Sequence, residues 1–233
     1  MLAAQRLGTA RSAEIIYPES DGKPMADNTL QAEWIVTLHG GINALIADFV
    51  AMDLFWYPVQ GSPQIVQAPD VLVAQGRPKG HRPSYKQWEE DGIAPQVVFE
   101  VLSPGNTLPE MTRKVLFYQK HGVEEYYILD PDQKVWFGYR RIGGDLVENT
   151  DMDGFTSPRL GIRFDYEGDE PVVFRPDGAR FRTFAEIMAD EASARAHAEQ
   201  EKARAEQEKT RAEQEKARAD ALAEKLRALG VEV

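Results

Sequence analysis

Hydrophobic positions between residues 30 and 50 recur with the spacing of one face of an α-helix. The apolar residues on that face are Ile35, Leu38, Ile42, Leu45, Ile46 and Phe49. Asn28 and Thr29 stand just before the pattern, and both are residue types that cap a helix N-terminus. Gly40 and Gly41 weaken the helix locally and favour a kink there. The pattern therefore predicts one amphipathic helix at the start of a folded domain.

Five later segments carry the apolar and β-branched residues typical of strands. They are residues 50–57, 71–74, 96–102, 126–130 and 135–140. The third is almost continuously apolar, as in a central strand covered on both faces, so Glu100 within it is unusual. After it, Met111, Val115 and Tyr118 predict a helix of roughly ten residues that ends near Gly122. The order of elements predicts an α/β fold, a mixed β-sheet flanked by helices.

A seven-residue repeat occupies the C-terminal part of the chain. The sequence Ala-Glu-Gln-Glu-Lys-Ala-Arg begins at residues 198, 205 and 212, with one alanine replaced by threonine. These are strong helix formers, and they predict a long C-terminal α-helix. Glutamate at the fourth position gives a poor coiled-coil seam, which favours a solvated helix. Leu222, Leu226 and Leu229 form an apolar stripe at its end, and from this stripe we expect a homodimer, with a short coiled coil as one form.

These patterns divide the chain into three parts. Residues 1–28 hold turn formers and little periodicity, so we interpret them as an N-terminal arm. Residues 29–188 form the α/β domain, and residues 189–233 form the charged heptad-repeat helix.

Composition and charge narrow the functional classes. Apolar residues make up 42% of the chain, enough for a packed core. Cysteine is absent, which excludes disulfides, thiolate metal sites and cysteine nucleophiles. The net charge is −11. Residues 190–233 hold 11 acids and 9 Lys/Arg, a net charge of −2, so the first 189 residues carry −9. That balance favours a metal site or a local patch over a general DNA-coating surface.

We expect neither a membrane span nor an export signal in this sequence. Charged residues interrupt the apolar stretches well before the length needed to span a bilayer. The N-terminus lacks the apolar core of a signal peptide. The expected location is therefore cytoplasmic.

Asp70, Glu100 and Lys114 are the candidate catalytic residues. Asp70 opens one predicted strand and Glu100 lies in another, so the two carboxylates can converge on a hard cation. Such a cation can activate water and stabilise charge on a phosphoryl group, and a nearby lysine can add a further positive charge. The structural alternative is that Asp70 caps a turn, Glu100 pairs with an arginine and Lys114 is solvated.

Paired acids also occur in glycosidases, so a hydrolase acting on something other than nucleic acid is the third functional alternative.

A basic segment lies between the two acidic strands. Arg77, Lys79, Arg82 and Lys86 fall within ten residues that contain no acid. We predict that they contact DNA phosphates beside the cleft. A flexible surface loop is the alternative interpretation.

Several stretches resemble the Uma-type restriction endonucleases, a bacterial group of the PD-(D/E)XK superfamily. They are residues 21–28, 68–71, 84–89, 99–106 and 118–130. The resemblance implies a restriction-endonuclease-like core, Mg²⁺ (or Mn²⁺ in its place), and DNA as substrate. It assigns the metal-binding acids to Asp70 and Glu100. Leu102 replaces the usual motif lysine, and the resemblance implies that Lys114 supplies it from the next helix, with Glu110 in place of a frequent aspartate.

The sequence thus favours a metal-dependent endonuclease that hydrolyses DNA phosphodiesters. The alternative is a catalytically degenerate nuclease fold that oligomerises or recruits partners through its C-terminal helix. The Asp70, Glu100 and Lys114 pattern favours the first, and the net charge and Leu102 favour the second.

Overall fold

A computed structural model describes residues 15–22 and 24–228 of the chain, so residues 1–14 of the predicted arm lie outside the described structure. The three α-helices are α1 (Thr29–Leu45), α2 (Leu108–His121) and α3 (Phe184–Ala228). The first five strands are β1 (Asp48–Met52), β2 (Trp56–Tyr57), β3 (Val71–Pro78), β4 (Tyr85–Lys86) and β5 (Val97–Val101). The last five are β6 (Glu125–Asp130), β7 (Val135–Ile142), β8 (Asp145–Asn149), β9 (Arg163–Glu167) and β10 (Glu170–Phe174). Within the described residues, no helix has both the length and the apolar character to cross a membrane.

A six-stranded sheet organises the domain, in the order β1-β3-β5-β6-β7-β8. Only the β5–β6 pair is parallel among these described neighbours, so the sheet is mixed. This confirms the predicted α/β class. Strand β5 is buried along its whole length, as its apolar sequence predicts. It lies at the centre of the sheet and carries Glu100.

Each face of the sheet buries its own hydrophobic core. On one face, α1 and the β9–β10 hairpin cover residues such as Phe99, Tyr127 and Trp136. On the other, α2 and Trp56 cover Leu72, Val98 and neighbouring side chains. Because side chains alternate along a strand, Glu100 lies between Phe99 and Val101 of the first core and points to the α2 face. The sheet thereby directs one acid towards α2.

The helix ends follow local signals in the sequence. Asn28 caps α1, with its Oδ1 accepting a hydrogen bond from the Gln31 N–H at 2.9 Å. Thr107 caps α2, and Gly122 ends it in the left-handed region at φ 98°. Helix α1 continues through Gly40 and Gly41 to its end at Leu45.

Other expectations differ from the structure. Residues 50–57 are not one strand, because Asp53 takes a left-handed φ of 48° and separates β1 from β2. The short strands β4, β8, β9 and β10 have no counterpart among the predicted segments.

The chain separates into two compact units between Thr183 and Phe184. The second unit contains α3, which has 45 residues and almost entirely exposed side chains. Its Arg211 donates to Glu215 at 3.1 Å, an i,i+4 pair of the kind that stabilises a solvated helix. The sequence-based boundary after residue 188 falls inside this helix. Leu222 is exposed, whereas Leu229 and the side chain of Leu226 lie outside the described structure.

Candidate active site

Asp70 and Glu100 lie side by side, with Asp70 directly before β3 and Glu100 in the neighbouring strand β5. Val71 at the start of β3 pairs with Phe99 of β5, which puts Asp70 next to Glu100 in the register. Asp70 Oδ2 accepts a hydrogen bond from the Val101 N–H at 2.6 Å, and this contact holds its carboxylate against β5. Glu100 is only 2% exposed. The structure therefore brings together the two carboxylates that the sequence singled out.

Helix α2 supplies two partners to Glu100. Lys114 Nζ donates to Oε2 at 2.9 Å, and the Tyr118 hydroxyl donates to Oε1 at 2.5 Å. Residues four apart share a face of a helix, so α2 directs both side chains towards the same carboxylate. Tyr118 is fully buried and stacks on Trp56, which fixes its hydroxyl in place. Lys114 therefore joins the two acids, and it is neither solvated nor remote from them.

Burial and neighbouring charges shift the pKa values of Asp70 and Lys114. Burial raises the pKa of Asp70 well above its usual value, and the nearby charge of Glu100 raises it further. Burial alone would lower the pKa of Lys114, but the carboxylates of Glu100 and Asp70 raise it overall. Lys114 is consequently a cation at neutral pH. A positive charge added beside Asp70 would offset the cost of its buried charge.

A cleft of about 310 Å³ opens onto the cluster. Asp70 and Lys114 line it together with further acids, which are Asp21, Asp27, Asp53 and Glu110. Burial raises the pKa of Asp53, and Asp21 and Glu100 raise it further. Sequence reasoning did not select Asp27 or Asp53 as site residues, although Asp53 lies in the predicted strand segment 50–57 and Asp27 in one of the stretches that carry the family resemblance.

Gln31 and Ser103 connect the N-terminal arm to the cleft. Gln31 Nε2 donates to the Val101 carbonyl at 2.8 Å, and its Oε1 accepts from the Asp27 N–H at 2.8 Å. The Ser103 hydroxyl donates to Asp27 Oδ2 at 2.6 Å. Gln31 is buried although it is polar, and its place on the inner face of α1 was the only sequence signal of this role. The Ser103 N–H also donates to Asn106 Oδ1 at 2.8 Å, so Ser103 joins the arm to the loop before α2.

The donor set fits a magnesium-like cation. In the part of the chain that the structure describes, no three Asp, Glu or His side chains form a group that could hold an ion. Mg²⁺, however, is commonly bound by only one or two carboxylates together with water and substrate phosphate. A carboxylate oxygen has two acceptor positions, so the bonds from Lys114 and Tyr118 do not exhaust Glu100. Asp70 and Glu100 are therefore the residues that would hold the ion.

The residues predicted to contact DNA lie in the basic segment 77–86, here named the basic loop, and not at the cleft. Asp70 precedes β3, whereas Arg77 is near the other end of that strand, roughly 20 Å away at the usual rise per residue. None of the described residues that line the cleft belongs to this loop. The structure thus does not place the loop at the cleft, contrary to the expected location.

Each cation of the loop has an intramolecular partner. Arg77 and Arg82 both form ion pairs with Glu90, at 2.8 and 2.5 Å, and Arg82 also lies over the Phe49 ring at 4.0 Å. Lys79 donates to the Asn43 carbonyl. Lys86 pairs with Glu89 at 3.4 Å. DNA contact by these residues stays a prediction.

Comparison with known proteins identifies the family. The family model described as "Uma2: Putative restriction endonuclease" matches residues 26–179. Among solved structures, a "putative nuclease belonging to DUF820" from Anabaena variabilis ATCC 29413 is similar at 19% identity and a TM-score of 0.44. That match covers 61% of this chain and 82% of the other. No curated protein matches the chain. Because the family match spans well over half of the sequence and confirms the resemblance, the chain belongs to the Uma2 family.

Proposed function

We propose that this protein is a Mg²⁺-dependent endonuclease that hydrolyses phosphodiester bonds in DNA. The observation that carries the proposal is the cluster of Asp70, Glu100 and Lys114, in which Lys114 Nζ lies 2.9 Å from buried Glu100 and both Asp70 and Lys114 line the cleft. Membership of the Uma2 family supports a nuclease of the restriction-endonuclease type. Mn²⁺ would serve in place of Mg²⁺, since both prefer oxygen ligands.

The three residues have separate roles in this proposal. Asp70 and Glu100 hold the cation, which when bound acidifies water and stabilises charge on the phosphoryl group. Lys114 keeps its proton, because the acids around it raise its pKa. It is therefore an electrostatic stabiliser of the phosphoryl group and not a general base. Tyr118 and the Val101 N–H orient the two carboxylates.

Metal titration beside a cleavage assay tests the proposal. Asp70→Ala and Glu100→Ala should each abolish Mn²⁺ binding by calorimetry and plasmid nicking together. Glu33→Gln is the matched control, because Glu33 is an exposed acid on α1 outside the cleft, and it should change neither. A wild-type protein that binds no divalent ion would overturn the enzyme proposal.

Lys114 should behave differently from the two acids. An ammonium group cannot ligate a cation, and its removal frees Glu100 Oε2, so Lys114→Ala should keep or slightly improve Mn²⁺ affinity. The cleavage rate should fall by about 100-fold or more, the scale of one lost electrostatic stabiliser. Lys120→Ala, on an exposed position of the same helix, should retain the wild-type rate. Cleavage by Lys114→Ala at the wild-type rate would refute the assignment of the motif lysine to this helix.

A second candidate function is a non-catalytic binding or assembly module. Leu102 at the usual lysine position and the exposed 45-residue helix α3 favour it. In that case α3 recruits a second copy of the chain or another partner, and the cleft binds no metal. The same titration separates the two functions, because only the nuclease requires Mn²⁺ binding at Asp70 and Glu100.

A further inference from the structure

A second cavity adjoins the candidate active-site cleft. Its volume is about 490 Å³, larger than the cleft's 310 Å³. Ser103 and Asn106 line both cavities, so the two meet at the loop between β5 and α2. Apart from the shared loop, the described residues that line this second cavity take no part in the proposed metal chemistry.

The sheet register places this cavity beside the candidate catalytic residues. Glu100 pairs with Ile128 on β6, and Ile128 pairs with Phe137 on β7. The three residues therefore form one row across three strands, on the α2 face of the sheet. Neighbouring strands are about 4.8 Å apart, so the Phe137 backbone lies about 10 Å from that of Glu100. A nucleotide next to the one under attack can reach across that distance.

The lining of the cavity is aromatic and apolar. Phe137 is 38% exposed although its neighbour Trp136 is buried. Tyr139, Leu102 and Met111 also line the cavity. An exposed aromatic ring beside a cavity is the feature on which bases stack in proteins that bind single strands.

The charge of the cavity selects against a phosphate. Asp130 and Asp132 line it, and none of its described lining residues is Lys or Arg. The Asp130 carboxylate is held at the β6–β7 turn by hydrogen bonds from the N–H groups of Asp132 and Gln133. Carboxylates repel the DNA backbone, but they accept hydrogen bonds from the amino and imino groups of bases. Among the parts of a nucleic acid, the uncharged base fits this lining.

We propose that this cavity, formed by Phe137, Tyr139, Met111, Leu102 and Asp130 and here named the base pocket, binds an unpaired nucleobase next to the phosphate under attack. The inference rests on the proposed nuclease function and narrows its substrate to DNA that is single-stranded or locally unpaired. A base inside a duplex has its faces stacked and its edge paired, so it cannot enter the pocket without leaving the helix.

Binding of short labelled DNA tests the base pocket. Fluorescence anisotropy would compare a single strand containing 2-aminopurine with its blunt duplex, with Ca²⁺ in place of Mg²⁺. The wild-type protein should prefer the single strand by about tenfold, and it should quench 2-aminopurine through stacking. Equal affinity for the two forms would overturn the proposal.

Variants at Phe137 separate stacking from general apolar contact. Phe137→Ala and Phe137→Leu should each weaken single-strand binding by about tenfold, within the range for loss of one base–aromatic stack. Phe137→Tyr keeps a ring and should retain wild-type affinity, which also shows that the position tolerates change. Ile142→Ala is the control, since Ile142 is 58% exposed on the same strand but lies outside the pocket. Retained affinity in Phe137→Leu would exclude ring stacking.

Two variants distinguish failure of the base-pocket proposal from failure of the nuclease proposal. If Asp70→Asn still nicks plasmid DNA in Mg²⁺, the nuclease site is wrongly assigned, whatever Phe137 does. If Asp70→Asn is inactive while Phe137→Ala binds and cleaves like wild type, only the base pocket is wrong.

Discussion

Buried charge at Asp70 and Glu100 sets the residue-scale behaviour of the candidate site. The buried charge of the Glu100 carboxylate is compensated by hydrogen bonds from Lys114 and Tyr118. Asp70 accepts a backbone hydrogen bond from the Val101 N–H, and its pKa is raised by burial and by Glu100. A charge in that position lowers the stability of the metal-free fold. Such a cost is typical of functional groups, because a bound cation removes it.

Asp70→Asn should stabilise the metal-free protein at neutral pH. With a raised pKa, folded Asp70 binds its proton more tightly than the unfolded chain does. The free energy of unfolding therefore falls as the pH rises from about 3.9, the usual pKa of an aspartate, through the raised pKa of folded Asp70. Asparagine removes this dependence, so the variant should melt higher than wild type at pH 8, with the difference lost near pH 4.

Thermal melts in a chelator across this pH range would measure the effect. Glu33→Gln, an exposed change, should follow the wild-type curve throughout. A lower melting temperature for Asp70→Asn at pH 8 would show that Asp70 is stabilising in its charged form.

At the scale of elements, the packing of α1 in the core depends on close contact with Phe181, which is far from it in the sequence. The Phe181 ring lies where a β-carbon on Gly41 would be, within 2.5–2.7 Å of three ring atoms. Phe181 is buried in the same core as Ile35 and Leu38 of α1. The glycine that weakens the helix locally is thus required by tertiary packing.

Two glycine substitutions in α1 should have opposite effects. Gly41→Ala should lower the free energy of unfolding by about 1–3 kcal/mol, because the added methyl group displaces the Phe181 ring. Gly40→Ala is the matched control. Its β-carbon would meet no atom within 4 Å, so it should raise stability by about 0.5–1 kcal/mol through helix propensity. Urea denaturation of both variants would measure this, and equal stabilisation by the two would contradict the close packing.

At the scale of the whole molecule, most of the charge is negative and the basic loop is internally paired. Arg77 and Arg82 compensate Glu90, which is 8% exposed, so they stabilise the fold whether or not they also meet DNA. Lys79 and Lys86 have the weaker partners, a carbonyl oxygen and the exposed Glu89. They are the suitable positions for testing phosphate contacts without leaving a buried acid unpaired.

Lys79→Ala and Lys86→Ala should weaken DNA binding to a similar degree for all sequences. Each lost phosphate contact should also reduce the slope of log affinity against log salt by up to about 0.9. Lys134→Ala is the control, because Lys134 pairs with Glu170 away from the loop. An unchanged slope in both loop variants would show that the loop is structural only.

Removal of residues 189–233 should leave the melting temperature of the domain nearly unchanged. The described side chains of this segment are almost all exposed, so few stabilising contacts are lost. Any dimer should weaken, because the segment includes the apolar stripe at Leu222. Thermal melts and sedimentation would measure the two effects. Aggregation or unfolding of the truncated chain would show that the segment packs on the domain.

Local sequence signals were sufficient for the main elements. The Asn28 cap, the apolar run of β5 and the Gly122 stop each depend on residues within a few positions of one another. Such short-range patterns can be recognised without the fold. The charged repeat likewise predicted a long helix, which α3 confirms. The same patterns, with the family resemblance, nominated Asp70, Glu100 and Lys114, whose catalytic roles stay a prediction.

Only the tertiary structure decided which distant residues meet. The bond from Tyr118 to Glu100, the bridge from Gln31 to Val101 and the pairing of Arg82 with Glu90 join separate elements. The sequence alone determined the helices, the central strand and the unusual acid within it, because those depend on neighbouring residues. Contacts across the fold depend on strand order and register, which no local pattern encodes, and they determine which charges are compensated and which remain available for a ligand.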